Sequence, residues 1–257
     1  MVYSTPDAAH IDRTTPSSEL SQVMAHPESF RLLYFPVEAQ GQTSRDLLTY
    51  GGANWEGVYP QNWLEEKGKT PFGFVPVLYI NKGDKQVVIS ETHAVENYLA
   101  KHFGLMGDNE YEETLIRAFH CSSTTLFINF QTAVVWNMAE VREKALENFK
   151  ANKLAHWVKT HERHLMDNGN NGHYLGNKMS LADIRTANLI KHLSFQPWAT
   201  ELMDIISQAP ALLKLMDTVE NDPKMRQWKN SDEAKKLATS TKAFFVNPFA
   251  ASGRPTA

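Results

Sequence analysis

Apolar positions follow two different spacings along this chain, and the change lies near residue 104. Before it, short apolar runs such as 30–35 and 77–80 end at proline, glycine or polar residues, which is typical of strands in a mixed sheet. After it, Leu115, Phe119, Ser122, Leu126 and Phe130 recur every three or four positions, the spacing of one helix face. The pattern predicts an α/β region followed by an all-α region.

The first region reads as strand, helix and strand, followed by two strands and a helix, which is the thioredoxin-like arrangement. Pro76 stands directly before a predicted strand, although proline cannot donate to a β-ladder. A tight turn with a cis Val75–Pro76 bond would account for it and would leave the Val75 backbone able to pair with an extended peptide. The predicted strands are 30–35, 55–59, 77–80 and 86–89, and the predicted helical segments are 42–50, 63–67 and 93–103.

The second region begins with a long helix from Glu110. A later helix opens at residues 180–183, where Ser180 and Asp183 have the spacing of a capping box. Because that box serves folding, Asp183 is not a catalytic candidate. His161 and His164 stand three positions apart, and we interpret them as a solvated helix face because no third metal ligand is evident.

These patterns also give the expected domain boundaries. Residues 1–28 are rich in proline, serine and threonine and read as a flexible N-terminal extension. We expect a thioredoxin-like domain over 29–104, an all-helical domain over 110–230 and a C-terminal tail over 231–257.

Charge and cysteine content exclude several classes of function. Lys plus Arg number 26 and Asp plus Glu 29, so the formal net charge is −3 and gives no indication of nucleic acid or an anionic membrane as partner. Cys121 is the single cysteine, which excludes an internal disulfide and a CxxC pair. No apolar run approaches the roughly 20 residues of a membrane span, and the first residues lack the regions of a signal peptide. A soluble cytoplasmic protein is expected.

The segment 70–78, followed by a hairpin, Glu91-Thr92 and Tyr98-Leu99-Ala100, resembles the glutathione-binding domain of the glutathione transferases. The family pattern is Pro-Phe-Gly-x-Val/Ile-Pro-x-Leu, then Gln/Glu-Ser and a helix ending in Tyr-Leu. The capping box and the boundary at Asp222-Pro223 are also similar to the family. The resemblance spans roughly residues 29–230 and implies a thioredoxin-like domain followed by a helical domain.

Tyr34, at the end of the first predicted strand, matches the catalytic tyrosine of the tyrosine-type classes and is most like that of the sigma class. The resemblance implies that its hydroxyl stabilises the glutathione thiolate. Serine-type and cysteine-type relatives place their donor or nucleophile just after this strand, but residues 36–41 contain neither a hydroxyl nor a thiol. The glutathione-binding residues that the resemblance implies are Tyr34, Trp63, Lys67, Val75, Pro76, Glu91 and Thr92.

The chain departs from the family pattern at several positions. Glu38, Ala39, Gln40 and Gln42 stand where sigma-like proteins carry basic residues, and Cys121-Ser122-Ser123 replaces an acidic residue of the first long helix. The resemblance implies a homodimer that uses glutathione as co-substrate, takes a small hydrophobic electrophile and needs no metal. A glutathione-dependent isomerase of the prostaglandin-synthase kind and a non-catalytic glutathione-binding homologue remain as alternatives.

Overall fold

The computed structural model describes residues 11–246. The chain divides into two compact units, the first ending at Gly104 and the second beginning at Leu105. The first unit contains a small mixed sheet with helices, and the second is helical in its described part. The expected fold class is confirmed.

A four-stranded sheet in the order β2-β1-β3-β4 forms the centre of the first unit. β1 pairs with β2 in parallel, whereas β3 is antiparallel to both β1 and β4. The turn before β3 contains the cis Val75–Pro76 bond that the sequence predicts. The elements are β1 (Ser29–Leu33), α2 (Gly41–Tyr50), β2 (Trp55–Val58), α3 (Trp63–Glu66), a 3₁₀ turn (Lys67–Lys69), β3 (Val77–Lys82), β4 (Lys85–Ser90) and α4 (Thr92–His102).

The sheet is held by apolar side chains that meet where three strands pair. Leu33, Val58, Val77 and Tyr79 form a buried cluster, and Val75 packs against it. A fully buried aliphatic side chain contributes about 1.5–3 kcal/mol, so this cluster fixes the ends of β1, β2 and β3 relative to one another.

The structure differs from the expected loose extension in part of residues 1–28. Ser17–Ala25 forms helix α1, with Val23 only 1% exposed. The Tyr98 hydroxyl donates to the Met24 carbonyl at 2.8 Å, and Lys85 pairs with Glu19. Polar composition suggested disorder, whereas these contacts to β4 and α4 could not be read from local sequence. Residues 1–10 of the expected extension lie outside the described residues.

The second unit consists of helices α5 to α12. The predicted helix from Glu110 is α5, and five-residue π-helical segments lie at Gln131–Val135 and Lys150–Leu154. The helices are α5 (Glu110–Phe130), α6 (Ala139–Phe149), α7 (Ala155–Asp167), α8 (Leu181–Ser194), α9 (Ala199–Ile206), α10 (Pro210–Glu220), α11 (Pro223–Lys229) and α12 (Asp232–Val246). Of the expected tail, residues 247–257 lie outside the described part of the chain. None of the helices within residues 11–246 is both long and apolar enough to cross a membrane.

The predicted capping box at the start of α8 is present. The N–H of Asp183 donates to Ser180 Oγ at 3.4 Å, and the N–H of Ser180 donates to Asp183 Oδ2 at 2.9 Å. The N–H of Tyr174 also donates to Asp183 Oδ1 at 2.9 Å. Asp183 therefore fastens the loop before α8 as well as the helix itself.

The interpretation of His161 as part of a solvated face is wrong. His161 is 2% exposed, and its Nδ1 lies 2.5 Å from the Tyr174 hydroxyl while its Nε2 lies 2.9 Å from Ser122 Oγ. Burial lowers the pKa of His161 to about 3. The partners come from positions 13 and 39 residues away, so helical spacing alone could not identify this polar cluster.

Candidate active site

Five of the seven predicted site residues lie just beyond strand ends at the same edge of the sheet: Tyr34, Val75, Pro76, Glu91 and Thr92. A sixth, Trp63, lies in the short helix α3 that follows β2. Leu33, the last residue of β1, pairs with Val77, the first of β3. Val77 also pairs with Ser90, the last residue of β4. Because β1 and β3 are antiparallel, Tyr34 and Pro76 are brought to the same edge, and Glu91 and Thr92 follow from β4. The sheet topology thus gathers segments that are far apart in sequence.

Tyr34 is anchored at this edge through its backbone and its hydroxyl. Its N–H donates to the Val58 carbonyl at 3.1 Å, which extends the pairing of β1 with β2. The residue is 7% exposed, and its hydroxyl oxygen accepts the N–H of Gln40 at 3.2 Å. An oxygen that accepts from a fixed donor is held in position, and its own proton can be directed to another acceptor.

The loop between β1 and α2 is fixed by a buried arginine. Arg45 is 0% exposed; its guanidinium donates to the carbonyls of Val37 at 2.9 Å and Phe35 at 3.0 Å. The same guanidinium lies 5.5 Å from the centre of the Tyr34 ring. Arg45 therefore holds the loop and packs near the tyrosine that the loop encloses.

The close approach of this loop to Tyr34 requires glycine at position 41. A Cβ on Gly41 would lie 2.5 Å from the Tyr34 ring carbons. Ala39, two residues earlier, has φ of 36°, a region that L-residues adopt uncommonly. The loop is thus built tightly around the tyrosine ring.

Thr92 begins α4 and is joined to the same loop by its side chain. Its hydroxyl donates to Gln40 Oε1 at 2.8 Å. Gln40 therefore contacts two predicted site residues, Tyr34 through its N–H and Thr92 through its side chain. The preceding residue, Glu91, is exposed and has φ of 79°, which is strained for a residue with a side chain.

Trp63 and Lys67 lie in the connection from β2 to β3. The Trp63 ring meets the Phe35 ring edge to face with centres 5.2 Å apart, and Phe35 in turn lies 5.8 Å from the Tyr34 ring. Lys67 is exposed, and its carbonyl accepts the N–H and the hydroxyl of Thr70. The structure joins Trp63 to the tyrosine through ring contacts and leaves the Lys67 side chain at the surface.

Val75 is half-buried in the turn before β3. Within residues 11–246, no hydrogen bond engages its N–H or C=O. The carbonyl of the following Pro76 accepts the Ser90 hydroxyl at 3.3 Å. Among residues 11–246 the backbone N–H and C=O of Val75 therefore have no hydrogen-bond partner, and the pairing of Val75 with an extended ligand stays a prediction.

Comparison with known proteins agrees with this architecture. The family description "Glutathione S-transferase, C-terminal domain" matches residues 128–232. Hematopoietic prostaglandin D synthase of Gallus gallus is 26% identical over 206 residues, 78% of this chain and 94% of that protein. Glutathione S-transferase P of Caenorhabditis elegans is 28% identical over 210 residues, 80% of this chain and 94% of that protein.

This chain is similar to named glutathione S-transferases over more than three quarters of its length. The relatives support an enzyme of the transferase class. The solved structure of prostaglandin synthase D of Nilaparvata lugens shares the fold, with a TM-score of 0.69 at 24% identity and coverage of 79% of this chain and 98% of that one.

Three residues at this candidate site have contacts that the sequence does not indicate. The sequence shows Gln40 only as a departure from a basic residue and gives no sign of its two contacts. It gives no sign of the contacts of Gly41 and Arg45 either. An arginine within an otherwise mixed helix gives no sign of burial, because only the fold reveals the three carbonyls of the preceding loop that surround it.

Proposed function

We propose that this glutathione transferase conjugates the glutathione thiolate to small hydrophobic electrophiles, and that the Tyr34 hydroxyl stabilises the thiolate. The observation that carries the proposal is the position of Tyr34 at the sheet edge shared with Val75 and Thr92. Relatives named as glutathione S-transferases cover most of this chain. Glutathione is then the co-substrate.

The glutathione thiolate needs only a modest amount of stabilisation to form at neutral pH. A thiol has a pKa near 8.5, so only a few per cent is ionised at neutral pH. Lowering that pKa by two units takes roughly 2.7 kcal/mol of preferential interaction with the thiolate. One or two aimed donors in a partly dry site supply this amount. Tyr34 is 7% exposed as a residue, and its hydroxyl is held by the Gln40 N–H, so it has this character.

The remaining predicted residues would hold the rest of the peptide. The Val75 backbone would pair with the cysteinyl unit, in the manner of a strand added to a sheet edge. Thr92 and Glu91 would hold the γ-glutamyl end at the start of α4, where backbone N–H groups favour a carboxylate. Trp63 and Lys67 would contact the glycine end, and Pro76 would fix the turn.

The direct test is an initial-rate assay with glutathione and a chromogenic electrophile. We expect Tyr34→Phe to lower turnover at neutral pH by roughly tenfold to a thousandfold, as for loss of one donor at an anionic centre. Affinity for glutathione should change little because other residues hold the peptide. Tyr174→Phe removes a buried hydroxyl in the other unit and serves as the control. Unaltered turnover in Tyr34→Phe would refute the proposal.

Isomerisation is the second candidate, because two of the similar proteins are prostaglandin D synthases by name. The same thiolate would serve both reactions, so product analysis with an endoperoxide substrate separates them. A protein that binds glutathione without conjugation or isomerisation would be the non-catalytic alternative.

A homodimer is part of the proposal. Phe72 is 55% exposed in the turn before β3, which is the kind of apolar side chain that a partner surface covers. Sedimentation should give twice the chain mass of 29.1 kDa, and a monomer at micromolar concentration would contradict the dimer. A cytoplasmic location and a role in detoxification remain predictions.

A further inference from the structure

Gln40 is the residue through which two parts of the candidate site are connected. Its N–H donates to the Tyr34 hydroxyl at 3.2 Å, and its Oε1 accepts the Thr92 hydroxyl at 2.8 Å. Tyr34 is proposed to face the thiol of glutathione, and Thr92 the γ-glutamyl end. Gln40 therefore contacts both the residue proposed to face the thiol and the residue proposed to hold the γ-glutamyl end.

The geometry around Gln40 is constrained from several sides. Gly41 lies against the Tyr34 ring, and Ala39 has φ of 36°. Gln40 itself is the residue before the first turn of α2, with φ of −67°. The carbonyls before it are held by Arg45. Since the backbone is fixed on both sides, the Thr92 bond determines where the side chain of Gln40 rests.

We propose that Gln40 is a positioning residue that keeps the Tyr34 hydroxyl and the Thr92 hydroxyl in the arrangement needed for thiolate formation. The inference rests on the proposed function of Tyr34. A donor to the phenol oxygen polarises its O–H, which strengthens the bond that the O–H donates to sulfur. The side-chain bond to Thr92 keeps the loop that supplies this donor tied to the start of α4.

Gln40→Ala tests the inference because it keeps the backbone N–H and removes only the tie to Thr92. We expect turnover to fall about three- to tenfold, the range for one hydrogen bond. The pKa of bound glutathione should rise in parallel, which a purely structural role would not cause. Gln86→Ala is the matched control, since Gln86 donates to Asn81 on exposed strand positions of the same unit.

Variants of Thr92 give a second test, which holds even if Gln40→Ala fails to fold. Thr92→Val removes the hydroxyl at nearly constant shape and should raise the bound thiol pKa as Gln40→Ala does, whereas Thr92→Ser should retain the wild-type value. The double variant should raise the bound thiol pKa no further than either single variant, because for this readout both remove the same connection.

Three results would overturn the inference. An unchanged thiol pKa in Gln40→Ala or in Thr92→Val would do so, as would additive rises of the thiol pKa in the double variant. Tyr34→Phe measured in the same series separates the two proposals. If Tyr34→Phe raises the thiol pKa and the Gln40 and Thr92 variants do not, only the role of Gln40 fails. If Tyr34→Phe also has no effect, both proposals fail.

Discussion

Two buried tyrosines, one in each unit, occupy contrasting surroundings. Tyr174 is 2% exposed, and its ring stacks on Phe119 with centres 4.3 Å apart. Its hydroxyl lies 2.5 Å from His161 Nδ1 and accepts from Thr186 Oγ1 at 3.3 Å. Burial raises the pKa of Tyr174 well above its usual value. Tyr34 instead lies where strands end, and its oxygen accepts from a loop N–H.

The difference shows that burial of a phenol does not by itself indicate catalysis. At Tyr174 the neighbours are side chains of the helical core, so the hydroxyl completes a polar network and keeps its proton. At Tyr34 a backbone N–H of the loop donates to the hydroxyl, and the strand ends bring ligand-binding candidates to the same edge. The contrast gives Tyr174 a structural role and is consistent with the chemical role that we propose for Tyr34.

The largest effect on stability should come from Asp183, which supports the Tyr174 network. It is 0% exposed and accepts from the N–H groups of Tyr174 and Ser180. Asp183→Ala leaves those buried donors without their acceptor, so the free energy of unfolding should fall by roughly 3–5 kcal/mol. Urea denaturation measures this loss. Turnover of the molecules that remain folded at low temperature should be unchanged. A loss of turnover per folded molecule would contradict the purely structural role of the Tyr174 network.

The capping box around Asp183 was predictable because its four residues are adjacent in sequence. The succession of strands along the first unit was likewise predictable, since a proline stands at one end of three of the four apolar runs between residues 30 and 90. The π-helical segments were not, because their local pattern is that of an ordinary helix. Helix α1 was also missed, since its stability depends on contacts with β4 and Tyr98 rather than on its own apolar face.

Acid should destabilise the helical unit through its buried histidines. Burial is the main cause that lowers the pKa of both His161 and His192 to about 3, with the nearby charges of His164 and Arg185 adding to it. In the unfolded chain a histidine titrates near 6.5. Between these values only the unfolded state takes up the proton, so stability falls as pH decreases below about 6.5.

Together the two histidines should cost about 2 kcal/mol of unfolding free energy between pH 6 and pH 5. Urea denaturation at both pH values measures the change. In His192→Gln, the number of protons that the chain takes up on unfolding in this pH range should be smaller by about one. Equal stability at pH 6 and pH 5 would show that these imidazoles are not held neutral by the fold.

Tyr174→Phe sharpens the comparison of the two tyrosines. It removes the partner of His161 Nδ1 and should lower the free energy of unfolding by about 1–2 kcal/mol. The pKa of bound glutathione should stay at the wild-type value, because the network lies outside the proposed chemistry. If Tyr174→Phe raised that thiol pKa as much as Tyr34→Phe, the contrast between the two residues would be lost.

Lys67→Ala should have the smallest effect. The Lys67 side chain is exposed, so its proposed contact with the glycine carboxylate of glutathione would be partly screened by solvent. We expect glutathione binding to weaken by roughly 1 kcal/mol, measured by titration calorimetry. Lys69→Ala, an exposed lysine two residues later, is the control. An unchanged dissociation constant in Lys67→Ala would remove this residue from the site.

The candidate site residues are those that the resemblance to the glutathione transferases implies, and the sequence pattern adds only where they stand relative to strands and helices. Tyr34 and Val75 are marked by the ends of apolar runs, and Thr92 by the start of a helix. The contacts of Gln40 were not predictable, because its partner Thr92 is 52 residues away. The choice between a side-chain and a backbone donor for the Tyr34 hydroxyl depends on the φ angles of the loop, which sequence does not determine.

Titration of the glutathione thiolate in complex with the protein tests the central claim most directly. Thiolate absorbance followed from pH 5 to pH 10 gives the pKa of the bound thiol for wild type, Tyr34→Phe and Tyr174→Phe. The account predicts a depressed pKa in wild type and in Tyr174→Phe, and a value near the free-thiol pKa of about 8.5 in Tyr34→Phe. A depressed pKa that persists in Tyr34→Phe would show that another donor stabilises the thiolate.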